Sequence, residues 1–423
     1  MNPQNIKALL VIEQCNPEWA SVPLEGYNYF QGISQLVDVT LVTHKRNQEA
    51  IERLPEKHKV IYITEGKWAT QYYKMAEQLV AKGKVNWPLY HALTYPIYED
   101  FNRKVYRRVK KDIEAGQYDI VHALTPMMPR YPFKVVQACQ NTPFLLGPVN
   151  GGVPFPPGFR ETARKENANL NFLRALGRYL IPGYRQTYLQ ADKVLAGSSY
   201  TLDLVKNLFN LDRDRVDLFY ENGIPETFVN ENSQLSSNDK VKLLFVGRLV
   251  PYKCADVVVE AISLLPEDIR QQVEFTIVGG GEEEARLKNQ VRELNLEAFV
   301  QFAGWVKQKE TLQYYRTSDI FCFPSIREFG GAVVLEAMAS GLPCIVANNG
   351  GIGEYVTEEN GFKIDPLSRE YLVKETADKI KTLVANPQLR EQMSLNAIAR
   401  AKEFVWSNKA KQMVEIYQEM ISV

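Results

Sequence analysis

The 423-residue sequence predicts an α/β protein made of two parallel-sheet domains. Three observations lead there. Short apolar runs alternate with longer helical patterns along the whole chain, which is how strand–helix–strand units with parallel sheets read. The alternation is broken by one polar, turn-rich stretch from Asn222 to Asn238. The chain is also too long for one ordinary core and fits two domains of roughly 200 residues.

The apolar runs give the strands in order. In the first half they are Ala8–Ile12, Val37–Val42, Val60–Ile63, Ile120–His122, Phe144–Leu146, Val194–Ala196 and Val216–Phe219. In the second they are Val241–Val246, Glu274–Val278, Val300–Phe302, Ile320–Phe323, Cys344–Val346 and Gly361–Ile364. Helical patterns lie between them, for example Asp256–Leu265 and Glu282–Leu294. The polar stretch places a linker at 223–240, between domains at 1–222 and 241–406. The closing stretch 407–423 carries Met413, Ile416, Tyr417 and Met420 at helical spacing, and is expected to pack back on the first domain.

Composition excludes several classes. Fifty basic and fifty acidic residues leave no net charge, against the basic excess of a nucleic-acid-binding domain. The apolar fraction of 45% is ordinary for a globular protein, and no apolar run approaches a membrane-spanning length. The first residues lack a basic region and a signal-length core. Five scattered cysteines fit neither a disulfide framework nor a zinc site. A reducing cytoplasm is the expected location.

The most informative stretch runs from Arg327 to Glu336, between the strand ending near Phe323 and a helix expected over Ala332–Ser340. Gly330 and Gly331 at the mouth of that helix bare backbone N–H groups and admit a ligand closely, which makes an anion site. Glu328 precedes the glycines, and Glu336 lies about one and a half turns into the helix. Carboxylates so placed can accept sugar hydroxyls while the helix end holds phosphate. A single glutamate is usually a solvated charge. Glu336, however, sits in the apolar run Val333–Ala339, where an unpaired carboxylate would be costly, so it needs a partner. A second element is Gly247-Arg248-Leu249-Val250-Pro251-Tyr252-Lys253, where two cations follow a strand end. Ligands of open α/β sheets bind at such ends, so Arg248 and Lys253 stand where a diphosphate would need neutralising.

Taken together, these motifs resemble the retaining glycosyltransferases of family four. The resemblance rests on Gly247, Arg248 and Lys253, on Glu328 and Glu336, on Ala337-Met338-Ala339-Ser340-Gly341-Leu342-Pro343, and on Gly350-Gly351-Ile352-Gly353-Glu354. It implies the GT-B architecture, with two Rossmann-like domains facing across a cleft, and transfer of a sugar from a nucleoside diphosphate sugar to a hydroxyl acceptor. Such a hexosyltransferase would serve polysaccharide, glycolipid or other glycoconjugate synthesis. By the same resemblance, Arg248 and Lys253 hold the diphosphate, Glu336 the ribose, and Glu328 the sugar. The backbone of Phe329, Gly330 and Gly331 approaches sugar and phosphates, and that near Trp305 and Val306 receives the base. No metal or other cofactor is expected. The partners are the nucleotide-sugar donor and a carbohydrate or lipid-linked acceptor, with no nucleic acid. The rivals are a GT-B-like epimerase or hydrolase and a non-catalytic nucleotide-sugar-binding protein.

The first half matches the pattern less fully. Where many relatives carry two glycines after the first strand, the segment Pro23–Tyr27 offers Gly26 alone for phosphate contact. His122 stands where the family often has a pair of histidines. It is either a satisfied core histidine or a residue of the acceptor site. The segment Gly147–Gly152 is a loop facing the cleft or a plain turn. Gly279-Gly280-Gly281 reads as a strand-to-helix turn, and Asp212-Arg213-Asp214 as a surface turn rather than a metal motif. The basic stretch Arg103–Lys111 reads as a solvated helix face, with peripheral contact to the inner face of a membrane as the alternative.

Overall fold

The computed structural model describes residues 3–66, 68, 72, 75, 87–129, 131–166, 180–229 and 240–422. Its contacts divide the chain into two compact units. The first comprises Met1–Gly152, Asn167–Glu221 and Trp406–Val423, and the second Val153–Glu166 and Asn222–Val405. The segment Val153–Glu166, which lies in the stretch read from sequence as the first domain, therefore groups with the second unit. Residues 230–239, most of the linker placed at 223–240, lie outside the described residues.

The first unit is built on β1 (Lys7–Ile12), β2 (Asp38–His44), β3 (Lys59–Ile63), β4 (Ile120–Thr125), β5 (Phe144–Val149), β6 (Lys193–Ala196) and β7 (Val216–Leu218). Their order in the sheet is β3-β2-β1-β4-β5-β6-β7, with every pairing parallel. Alternate residues of a strand face opposite sides. Ala8, Leu10 and Ile12 accordingly join one buried cluster, and Leu9 and Val11 the other. Both faces are covered, which is why these strands read as unbroken apolar runs rather than alternations. The helix Trp406–Ser422 covers one face. Trp406, Met413, Val414 and Tyr417 join the cluster of Leu10, Tyr29 and Phe30. Burial of each such side chain stabilises by about 1.5–3 kcal/mol.

The second unit carries β8 (Val241–Val246), β9 (Val273–Val278), β10 (Val300–Gly304), β11 (Ile320–Phe323), β12 (Cys344–Ala347) and β13 (Gly361–Ile364). The order is β10-β9-β8-β11-β12-β13, again all parallel. Every strand expected from the apolar runs is present. The helices Ala255–Ser263, Glu284–Glu293 and Ala332–Ala339 fall within a few residues of their expected bounds.

The basic stretch Arg103–Lys111 lies in the helix Trp87–Glu114 and is largely neutralised within it. Arg103 pairs with Glu99, Lys104 with Asp100, Arg108 with Asp112 and Lys110 with Glu114, all four residues apart. This is the solvated-face arrangement. Among the described residues, no helix is long and apolar enough to cross a membrane.

Candidate functional site

In both sheets the winding reverses between the first and fourth strands, β1 and β4 in one and β8 and β11 in the other. Open parallel sheets bind ligands beyond the carboxyl ends of the strands at such a reversal. In the second unit two loops leave that point. One runs from Gly247 to Cys254 after β8, the other from Pro324 to Gly331 after β11.

The first loop lies on the triple glycine. Leu249 N–H donates to Gly280 O (2.9 Å) and Glu283 N–H to Leu249 O (3.0 Å). A Cβ at Gly279 would come within 1.9 Å of Gly247 O, and one at Gly281 within 2.3 Å of Leu249 O. The triple glycine is the strand-to-helix turn that the sequence predicts, and it also sets the path of the Arg248 loop. Arg248 is exposed and donates to the Tyr252 hydroxyl (2.8 Å). Burial first, and Glu328 second, push that phenol up to about 12, so it stays neutral. The loop ends at Cys254, which takes the left-handed conformation at φ 55°, uncommon for a residue with a side chain.

The two loops are knitted together. Ile326 N–H (3.0 Å) and the Ser325 hydroxyl (3.1 Å) both donate to Tyr252 O. Lys253 forms an ion pair with Glu328, and the side chains are only 13% and 10% exposed. The single Ser325 O–H is shared between Tyr252 O and the same carboxylate oxygen, which lies nearer at 2.8 Å, and the ammonium lies 4.8 Å from the centre of the Phe323 ring. The cation assigned to diphosphate and the carboxylate assigned to sugar are thus each other's partners. Glu328 also bridges in parallel to Gly350, and Gly351 N–H donates to Phe329 O (3.0 Å).

Gly331, at φ 76°, starts the helix Ala332–Ala339, and Ile352 fills the space a side chain there would need. Glu336 is buried on that helix. Its partner is the fully buried Tyr315, whose hydroxyl donates to Oε2 at 2.9 Å. A hydrogen bond to a charged group is worth about 1.5–3 kcal/mol, so this contact holds the carboxylate in one orientation. Trp305 follows the last residue of β10 as an exposed ring, 74% accessible, with Val306 half-buried beside it.

The first unit treats its two candidates differently. Gly26 lies inside the helix Val22–Ser34, buried, where a Cβ would approach Gln14 O to 2.3 Å. Close packing of the helix on the loop after β1 is reason enough for a glycine here. His122 is fully buried in β4, with Nδ1 2.6 Å from the Tyr417 hydroxyl and Nε2 2.5 Å from Gly147 O. A carbonyl can only accept, so Nε2 carries the proton and Nδ1 accepts from Tyr417. Of the two readings of His122, the structure selects the satisfied core histidine. Polar residues that no motif marks gather at the carboxyl ends of β1 and β2. Glu13 pairs with Arg46, the Glu13 carbonyl accepts from Asn47 (3.0 Å), and His44 Nε2 lies 3.0 Å from Glu65.

Burial pushes His122 down from 6.5 to about 4. As pH falls, the unfolded chain is protonated first, so the native state loses stability. The contribution is complete above pH 6.5, falls between 6.5 and 4, and is flat below that. Denaturant titrations across this window should show the loss, and His122→Gln, which keeps a donor and an acceptor, should reduce the slope. A variant with the parental slope would assign the acid sensitivity to another group.

Asp212 and Asp214 lie exposed at the turn Arg213–Arg215. Among the described residues, no group of three or more His, Cys, Asp or Glu is placed to hold a metal ion.

Residues 227–400 match the family model described as glycosyl transferases group 1. That segment, in the second unit, resembles the group 1 glycosyl transferases. The chain is similar to the D-inositol 3-phosphate glycosyltransferase of Nocardia farcinica, at 28% identity over 249 residues, 56% of this chain and 54% of the relative. An uncharacterized glycosyltransferase of Methanocaldococcus jannaschii is 28% identical over 247 residues, 56% of this chain and 62% of that one. The matches thus span little more than half the length of these curated relatives. The fold is GT-B, shared over nearly the whole chain with solved glycosyl transferase structures. Anabaena HepE in complex with UDP aligns with a TM-score of 0.64 at 19% identity, covering 98% of this chain and 100% of that one. Sucrose-phosphate synthase of Thermosynechococcus elongatus gives 0.63 at 19% identity, covering 99% and 100%.

Proposed function

We propose that this chain is a glycosyltransferase that moves a sugar from a nucleoside diphosphate sugar to a hydroxyl acceptor, with retention at the anomeric carbon and without a metal. The observation that carries the reading is the meeting of Arg248, Lys253, Glu328 and the Gly331 helix start at one strand reversal. Arg248, Lys253 and the N–H groups of the helix start neutralise the diphosphate as charge builds on it. Glu336, oriented by Tyr315, accepts from the ribose, and Glu328 from the sugar. The exposed Trp305 and the backbone at Val306 serve the base. That HepE was solved with UDP supports a nucleotide at the matching fold position.

In the step proposed, the acceptor oxygen bonds to the anomeric carbon on the face from which the diphosphate departs. The bond from that carbon to the phosphate oxygen breaks, and the departing phosphate takes the acceptor's proton. The cations then hold the leaving group rather than activate a nucleophile. The acceptor is a carbohydrate or lipid-linked hydroxyl in glycoconjugate synthesis, in the cytoplasm.

Donor panels of UDP-, GDP- and ADP-sugars, followed by mass spectrometry in EDTA with and without carbohydrate acceptors, test this. Nucleoside diphosphate should appear together with a glycosylated product of unchanged anomeric configuration. Equal release without acceptor would turn the reading to a hydrolase. A donor isomerised with no acceptor consumed would turn it to an epimerase. Complete loss in EDTA, restored by Mg²⁺ or Mn²⁺, would end the metal-free mechanism.

A further inference from the structure

The segment Val153–Glu166 shows none of the motifs above, yet it lies against the loops that carry Lys253 and Glu328. Arg327, the residue before Glu328, donates from Nε to Val153 O at 2.9 Å. Its guanidinium lies 4.9 Å from the centre of the Phe155 ring and 5.2 Å from that of Phe329. Between these two contacts, Asn349 Nδ2 donates both to Pro154 O (3.1 Å) and to Ile326 O (2.6 Å). Three consecutive residues of the segment are therefore gripped by the two residues flanking the Glu328–Gly350 bridge. Further along, Gly158 passes so close to Leu367 that a Cβ would lie 1.9 Å from its carbonyl oxygen. The short helix Arg160–Lys165 then packs on the turn Pro251–Lys253.

We propose that Val153–Phe155 is a strap forming one wall of the donor-sugar side of the site, and that Arg327 is the positioning residue that clamps it. The proposal rests on the donor reading given above. An arginine suits this place for a physical reason. Only a planar guanidinium can lie against two aromatic rings while its Nε–H points at a carbonyl. Burial costs the cation some of its preference for the charged form, and Tyr252, Glu166 and Glu328 restore part of it. Glu328 is flanked on one side by Arg327 and on the other by Phe329, so the clamp fixes both neighbours of the carboxylate. Lysine keeps the charge but has neither the plane nor the Nε–H, and cannot substitute.

Two measurements on the full chain test this, one of them independent of activity. In hydrogen-exchange mass spectrometry, peptides covering Gly152–Glu166 should be protected in the parent and exchange roughly tenfold faster in Arg327→Ala. Unchanged exchange in that variant would overturn the clamp, whether or not the parent turns over any donor. In kinetics, Arg327→Ala should lower kcat roughly 30- to 100-fold, because a misplacement of about 1 Å can cost two decades. The Kd for free nucleoside diphosphate should change by less than about threefold, since the strap borders the sugar and not the phosphates. Arg327→Lys should recover only a small part of the loss, and Phe155→Leu should show the same split more weakly. An equal fall in nucleotide affinity and turnover, or full rescue by lysine, would replace positioning by a plain charge effect. A parent without donor turnover would refute the donor reading alone, and the exchange result would still decide the clamp.

Discussion

Lys253→Ala should lower kcat/KM for the donor by one to two decades and also weaken the fold. Loss of a charge-assisted contact to phosphate costs about 1.5–3 kcal/mol, which is that range of rate. The stability effect has a separate origin. Lys253 and Glu328 are only 13% and 10% exposed, so removal of the lysine leaves a nearly buried carboxylate that keeps its hydrogen bond from Ser325 but loses its counter-charge. Breaking a buried pair from one side costs about 3–5 kcal/mol. Lys253→Met combined with Glu328→Gln should restore much of that stability while leaving activity low. Denaturant titration of the parent, Lys253→Met, Glu328→Gln and the double variant, with donor kinetics alongside, separates the two effects. Additive stability losses would show that the pair is uncoupled, and parental kinetics in Lys253→Ala would end the diphosphate assignment.

Gly350→Ala should be the most damaging change at the site that touches no charge. Gly350 has φ 88°, and a Cβ there would lie 1.8 Å from the Glu328 carbonyl oxygen. Left-handed strain costs about 1–3 kcal/mol, and the overlap must be relieved by moving the Glu328 loop. Displacement of about 1 Å is enough for a hundredfold loss of turnover. Gly116→Ala provides the control. Gly116 has φ 69° with nothing within 4 Å of its would-be Cβ, so it should lose a little stability and no activity. Donor kinetics and chemical denaturation of both variants check this. Parental turnover in Gly350→Ala would mean that the backbone bridge does not hold Glu328 in place.

The strands were legible because they are buried on both faces, and continuous apolar runs such as Phe144–Leu146 and Ile320–Phe323 leave few alternatives. The need of Glu336 for a partner was legible from the apolar helix around it. The identity of that partner was not, because Tyr315 belongs to another helix and no local pattern links the two. The same limit explains His122. A histidine on a predicted strand can face a ligand or a core, and the residue that decides between them, Tyr417, is 295 positions away. Lys253 and Glu328 were both marked, yet their spacing of 75 residues hid that they meet. The strap was invisible for another reason. Val153-Pro154-Phe155-Pro156-Pro157-Gly158 reads as a plain turn-rich loop, and nothing in its composition names the surface it lies on.

The place of the helix Trp406–Ser422 has a consequence for how the molecule is made. The first sheet is complete in sequence by Leu218, but one face of it waits for Trp406, Met413, Val414 and Tyr417. At ribosomal rates of about 5–20 residues per second, the intervening stretch takes roughly 10–40 s to emerge. Throughout that time Tyr29, Phe30 and Leu10 lack their cover, and His122 lacks the hydroxyl that satisfies Nδ1. The second unit, whose residues all precede that helix in the sequence, can close first. The half of the chain that is translated earlier is therefore the half that matures later, and it is the one a nascent-chain chaperone would have to shield.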